Sequence, residues 1–135
     1  MQPQVEKTLL IDDSDIDLFI QRRFLEVCNF SADLNVYKSA EEALHWLKDA
    51  NNGDVPNIIF LDLNMPEFDG FAFLHHFRDL PLAVKEKAKI VVLTSSNSSK
   101  DRDQAFSFPN VIQFITKPLK QTDIEALGKL IETKI

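Results

Sequence analysis

Two stretches of the chain are apolar without a break. Asn57 leads into Ile58-Ile59-Phe60-Leu61, and Lys89 leads into Ile90-Val91-Val92-Leu93. A strand with one wet face alternates apolar and polar residues. A short run with no alternation belongs to a strand covered on both faces. Such strands lie inside a parallel sheet with helices packed above and below. Each run stops at a polar residue, Asp62 in the first case and Thr94 in the second.

The rest of the chain supplies the other layers. Thr8-Leu9-Leu10-Ile11 is an apolar run ending in Asp12-Asp13, residues 33–37 read as a weaker strand, and residues 111–115 form a fifth that stops near Lys117-Pro118. Helical patterns separate them. Ser14 is a good N-cap with Asp17 three positions on, and Ile16, Phe19, Ile20 and Phe24 then recur at the spacing of an apolar helix face. Ser39 with Glu42 reads as a capping box. Ala43, Leu44 and Leu47 form the buried side of that helix, and Asn51-Asn52-Gly53 ends it, Gly53 being suited to a left-handed cap. A third helix spans about residues 70–80 and breaks before Pro81. Lys85, Lys87 and Lys89 form a solvated run before the fourth strand. A polar loop, 95–99, leads to a short helix over 100–106, and 122–134 is the closing helix. Five strands alternating with five helical segments predict an α/β fold: a parallel, doubly wound sheet with right-handed crossovers.

A length of 135 residues predicts one domain, residues 1–135, and the 17 residues after Pro118 leave no room for a second. The net charge of -6 is unfavourable for direct nucleic-acid binding. No apolar run is long enough for membrane insertion. Residues 1–7 lack the regions of a signal peptide, and the single Cys28 excludes an internal disulfide. Together these predict a cytoplasmic protein.

In sheets of this kind ligands bind beyond the carboxyl ends of the strands. The residues placed there are Asp12, Asp13, Asp62, Thr94 and Lys117. Clustered carboxylates repel and call for a hard cation. Mg²⁺ takes oxygen ligands and accepts one or two carboxylates, leaving positions for water and phosphate. A carboxylate is also a nucleophile toward phosphorus. Phosphoryl transfer needs positioning and charge neutralisation, which the metal, the Lys117 ammonium and the Thr94 hydroxyl supply.

These residues resemble a known family. Asp12-Asp13, then Asp62-Leu63-Asn64-Met65-Pro66 with Asp69-Gly70, then Thr94-Ser95, then Lys117-Pro118 look like the receiver domain of bacterial two-component response regulators. The likeness covers nearly the whole chain, and four short motifs in register are specific where each alone is weak. It implies a flavodoxin-like (βα)5 sheet with strand order 2-1-3-4-5 and a stand-alone, chemotaxis-regulator-like receiver without an output domain. Asp62 matches the phosphoacceptor. Asp12, Asp13, Asp62 and the backbone carbonyl of Asn64 match the Mg²⁺ site. Lys117 matches the lysine that meets a phosphoryl oxygen, and its bond to Pro118 matches a cis peptide. Thr94 and Phe114 match the switch pair, and Ser95 a small residue beside it. The implied partners are a sensor histidine kinase or histidine phosphotransfer protein and a downstream protein target. The latter is met by the face of the fourth helix, fifth strand and fifth helix as Thr94 moves and the Phe114 ring gains burial. The implied role is that of a switch rather than an enzyme.

The chain departs from the pattern in having Phe at 114, where a hydroxyl or imidazole is common, and Phe108-Pro109-Asn110 before the fifth strand. Other chemistries fit less well. An aspartyl-phosphate phosphatase wants an acid two residues after the nucleophile, where Asn64 stands. A flavodoxin-like cofactor binder wants a phosphate cradle after the first strand, where Asp12-Asp13 would repel phosphate. A receiver used only for docking would leave every site residue idle. His45 reads as a helix-surface residue. His75 and His76 are adjacent on a helix and cannot chelate one ion together. Trp46 and Cys28 read as packing residues.

Overall fold

The computed structural model describes residues 2–134. In chain order they form β1 (Val5–Ile11), α1 (Asp15–Val27), β2 (Ser31–Tyr37), α2 (Ala40–Asp49), β3 (Ile58–Leu61), α3 (Gly70–Phe77), α4 (Leu82–Lys87), β4 (Lys89–Thr94), α5 (Ser99–Phe106), β5 (Val111–Thr116) and α6 (Gln121–Lys134). All neighbouring strands are parallel, in the order β2-β1-β3-β4-β5. This is the predicted doubly wound, flavodoxin-like sheet.

The unbroken apolar runs have the expected physical cause. Every residue of β3 is buried. Ile58 and Phe60 join Leu18 and Leu25 of α1 and Ile124 and Leu127 of α6. Ile59 and Leu61 join Ala43 and Leu47 of α2, Phe73 of α3 and Ala105 of α5. A strand between two helical layers has no wet face, and each such side chain contributes about 1.5–3 kcal/mol when fully buried.

Local chemistry sets the ends of the elements. Ser14 caps α1, its Oγ accepting from the Asp17 N–H at 3.2 Å. The same helix ends in a Schellman motif: Asn29 has φ 52°, its N–H donates to Glu26, and the Phe30 N–H reaches back to Leu25. Ser39 caps α2 through the Glu42 N–H.

Four expectations are corrected. Ile16, Phe19 and Ile20 are not the buried face of α1; they are 72%, 72% and 54% exposed. The buried stripe is Leu18, Gln21 and Leu25, because two apolar stripes run along this helix and only one can face the sheet. Gly53 is not a left-handed cap, since no described glycine has positive φ. Instead α2 ends at an extended Ala50, and Asn52–Asp54 makes a 3-10 turn closed by the Asp54 N–H on the Asn51 carbonyl. The third helix stops at Phe77 rather than near residue 80. Five helical segments were expected, but Leu82–Lys87 forms a further one, α4, anchored by Val84 at 2% exposure, and Lys85 and Lys87 of the lysine run are half-buried on it.

The unusual segment before β5 is well tied down. Asn110 Nδ2 donates to the carbonyls of Lys85 and Ala88 at 2.7 and 2.8 Å, satisfying the C-terminal carbonyls of α4. Phe108 is buried against His75 and under the Arg78 guanidinium. Trp46 packs on Tyr37, while Cys28 is half-buried and meets Gln121.

Candidate functional site

The sheet brings the predicted residues to one place. β1 ends at Ile11 and β3 at Leu61, and these two residues pair, so Asp12 and Asp62 emerge side by side. The Asp62 N–H donates to the Ile11 carbonyl. Asp12, Asp13 and Asp62 each offer a carboxylate oxygen within 4.8 Å of the others, with Asp12 and Asp62 buried and Asp13 exposed. β4 brings Thr94 to the same edge, fully buried. β5 pairs Thr116 with Thr94, and the next residue is Lys117, whose N–H donates to the Thr94 carbonyl at 2.7 Å. The Lys117–Pro118 peptide is cis.

Lys117 is the hub. Its ammonium donates to Asp12 Oδ2 at 2.8 Å, Asp17 Oδ2 at 2.7 Å and Asp62 Oδ2 at 3.1 Å. Burial opposes the charge, but the hydrogen bonds to Asp12, Asp17 and Asp62, with attraction to Asp62, outweigh it. The lysine pKa is raised above its ordinary value.

The carboxylates are held in turn. The Ser14 N–H donates to Asp12 Oδ1 at 3.0 Å and Gln21 Nε2 to Asp12 Oδ2 at 3.2 Å. The Asn64 N–H donates to Asp62 Oδ1 at 3.0 Å. The loop after β3 is pulled tight over α3. The Gly70 N–H donates to the Leu63 carbonyl, and a Cβ at Gly70 would stand 2.6 Å from the Asp62 carbonyl oxygen, so only glycine fits.

The Thr94 hydroxyl is held from two sides. Its Oγ1 accepts from Asn64 Nδ2 at 3.1 Å and from the Ser96 N–H at 3.4 Å. Ser96 also donates through its hydroxyl to Asp101 of α5 at 2.7 Å, and its carbonyl accepts from Thr116 of β5 at 3.1 Å. Asn64 Nδ2 also reaches Ser95 Oγ at 3.3 Å. Phe114 is 8% exposed and sits in the core with Val92, Ala105 and Phe108. The expected gain of burial by its ring is therefore unavailable from this conformation, in which the ring is already inside.

The residues that sequence reasoning missed lie on α1. Asp17 was read only against its cap, and Gln21 not at all. The signal was present: Asp17 and Gln21 are four residues apart, which puts them on one face of α1, and Gln21 is a polar residue in an otherwise apolar buried stripe.

A cavity of about 370 Å³ lies elsewhere, between α2 and α3, lined by Leu44, His45, Phe68 and His76 among others. His75 packs on Phe108 and His76 on Phe68, so the adjacent histidines do diverge. Size favours that cavity, but the convergent charges are at the strand ends, and chemistry decides. A cleft of about 220 Å³ includes Asp13, Lys38, Ser39 and Glu67 and opens beside the acids. Among the described residues no helix is long and apolar enough to cross a membrane.

Comparison with known proteins agrees with this geometry. The response regulator receiver domain family matches residues 8–128. The response regulator Rcp1 of Synechocystis sp. (strain ATCC 27184 / PCC 6803 / Kazusa) is 27% identical, over 93% of this chain and 85% of its own. Hybrid signal transduction histidine kinases L and B of Dictyostelium discoideum are 29% and 28% identical, but the chain spans only 7% and 6% of their lengths. Among solved structures, a response regulator receiver protein from Dyadobacter fermentans DSM 18053 superposes with TM-score 0.83 at 30% identity, covering 95% of this chain and 96% of that one. A two-component response regulator from Cytophaga hutchinsonii gives TM-score 0.85 at 26% identity, covering 96% and 98%. With its acids, threonine and lysine at the ends of a 2-1-3-4-5 sheet, the chain belongs to the response regulator receiver domain family of two-component systems.

Proposed function

We propose that this receiver is a phosphoacceptor switch in which Asp62 takes a phosphoryl group from the phosphohistidine of a sensor kinase or histidine phosphotransfer protein. One observation carries the reading. Asp62 is a buried carboxylate held between a backbone N–H and the Lys117 ammonium, beside two further carboxylates.

An Asp62 oxygen bonds to phosphorus as the bond from phosphorus to the donor imidazole nitrogen breaks, and the electron pair stays on that nitrogen. Lys117 is placed to meet a phosphoryl oxygen and neutralise its charge. The all-oxygen donor set of Asp12, Asp13 and Asp62 suits Mg²⁺, with the Asn64 carbonyl as a further ligand. When bound, the ion would offset the charge of the phosphoryl oxygens.

The phosphoryl group then draws the Thr94 hydroxyl by a charge-assisted hydrogen bond. Thr94 has to leave Asn64 and Ser96 to do so. Because Ser96 also holds Asp101 and Thr116, this movement reaches α5 and β5 directly. The α5–β5–α6 face is the proposed surface for a downstream protein, with Phe114 as a packed element of the switch.

The phosphodonor has its own surface. Ile16, Phe19 and Ile20 are exposed on α1, and Ile20 lines a small cavity with Asp17, Lys117 and Pro118. A donor delivering phosphate to Asp62 must cover this rim, where apolar area rewards contact. Intact-mass measurement after treatment with acetyl phosphate and Mg²⁺ tests the central step. Wild type gains one phosphoryl group and Asp62→Asn gains none. A mutant modified as readily as wild type overturns the assignment.

A further inference from the structure

Lys117 has three N–H donors and three carboxylate acceptors, so its hydrogen-bonding capacity is filled. Its shortest contact is to Asp17 at 2.7 Å and its longest to Asp62 at 3.1 Å. Asp17 does not belong to the carboxylate group that could hold a metal ion. It stands in the first turn of α1 with its own N–H fixed on Ser14, and its side chain is 39% exposed. It therefore draws the ammonium toward α1, in addition to the pull of the acids at the strand ends.

We propose that Asp17 is a positioning residue that parks the Lys117 ammonium against α1 in the resting protein, in competition with the phosphoryl group arriving at Asp62. The inference rests on the phosphoacceptor reading and adds a regulatory contact to it. Lys117 can make three strong hydrogen bonds and no more. A phosphoryl oxygen that takes one must displace a carboxylate, and Asp17 is the acceptor open to solvent. Asp12 is 1% exposed and fixed from Ser14 and Gln21, so it cannot yield as easily. A partner seated on the neighbouring Ile16 and Ile20 would cover Asp17 as well, coupling docking to the placement of the lysine.

The test uses acetyl phosphate at fixed saturating Mg²⁺, with Asp62 phosphorylation followed by intact mass. In the reaction an Asp62 oxygen bonds to phosphorus, the bond from phosphorus to the acetyl oxygen breaks, and acetate leaves with the electron pair. Asp17→Asn removes the competing charge while keeping the side-chain size. The half-saturating acetyl phosphate concentration is expected to fall about three- to tenfold, a differential of about 0.7–1.4 kcal/mol, with the maximal rate near that of wild type. Asp17→Glu restores the wild-type value. Asp15→Asn, two residues away in the same first turn of α1 and paired with Lys38 rather than Lys117, controls for a general loss of negative charge and leaves the half-saturation unchanged. Beryllofluoride, a phosphoryl mimic, should bind Asp17→Asn more tightly by the same factor in a melting-shift titration. A residue with a merely structural role would lower the melting temperature and slow the maximal rate instead. If wild type is phosphorylated on Asp62 and Asp17→Asn has the same half-saturation, or Asp15→Asn shifts equally, this inference falls alone. If wild type takes no phosphate, the phosphoacceptor reading falls and this inference with it.

Discussion

Replacing Lys117 by Met keeps an unbranched apolar stem and deletes the charge at the centre of the site. Asp12 and Asp62 are 1% and 5% exposed, with the ammonium 2.8 and 3.1 Å away. At an effective dielectric constant of about 20, a contact near 3 Å is worth roughly 5 kcal/mol before desolvation. The lysine recovers its own desolvation cost on removal, so the net loss is smaller. Stripping one partner from a buried ion group costs about 3–5 kcal/mol, and the partial exposure of Lys117, 15%, places it near the lower end. For a chain of this length about 1 kcal/mol moves the melting temperature by roughly 3–4 °C. Lys117→Met is therefore expected to melt about 10–15 °C below wild type at pH 8 in chelator. The pH dependence follows from the raised lysine pKa. Such a group contributes stability that is fully present below its unfolded value of 10.5 and is lost as pH rises toward the higher folded value. The gap between wild type and mutant should stay level from about pH 7 to 10 and narrow above that. Circular dichroism melts across the range measure it. A mutant within about 2 °C of wild type at pH 8, or a gap unchanged up to about pH 11.5, refutes the reasoning.

Three further outcomes are expected. Gly70→Ala puts a methyl 2.6 Å from the Asp62 carbonyl oxygen and the Leu63 Cα, both backbone atoms, and should cost about 1–3 kcal/mol. Gly53→Ala meets nothing within 4 Å and should melt no lower than wild type; equal melting of both variants in a thermal scan would contradict the crowding. Thr8→Val removes a hydroxyl that is buried without a hydrogen-bond partner and should stabilise by about 1 kcal/mol, seen as a raised denaturation midpoint and refuted by a lowered one. Phe19→Ser, at a position 72% exposed, should leave stability and acetyl phosphate labelling unchanged while slowing transfer from a phosphorylated kinase; unaltered kinase transfer would remove α1 as the docking surface.

The fold was legible because its signals are local and redundant. The unbroken apolar runs of β3 and β4 can be satisfied only between two helical layers, and Ser14 and Ser39 mark the helix starts they cap. The acids, Thr94 and Lys117 could be placed because strand ends are read from where an apolar run stops. The sequence was silent on the network among them. That Asn64 holds Thr94, and that Asp17 takes the shortest bond from Lys117, depends on how elements 30 and 100 residues apart converge, and no periodicity records it.

α1 shows why a local pattern can mislead. Helical spacing finds an apolar face but cannot say which of two faces a helix buries. Here Ile16, Phe19 and Ile20 gave the stronger signal, and the sheet instead took the face holding Leu18, Gln21 and Leu25. Folding alone does not account for that choice, since burying Gln21 costs free energy unless it is hydrogen-bonded. Its bond to Asp12 supplies the partner, and Asp17 on the same helix reaches Lys117. One face of α1 thus orients the charged site while the other leaves an apolar stripe in water. A helix selected only for stability would bury the larger apolar stripe. This one exposes it, with Ile20 lining a cavity beside Asp17 and Lys117, which supports the proposed docking surface for a phosphodonor.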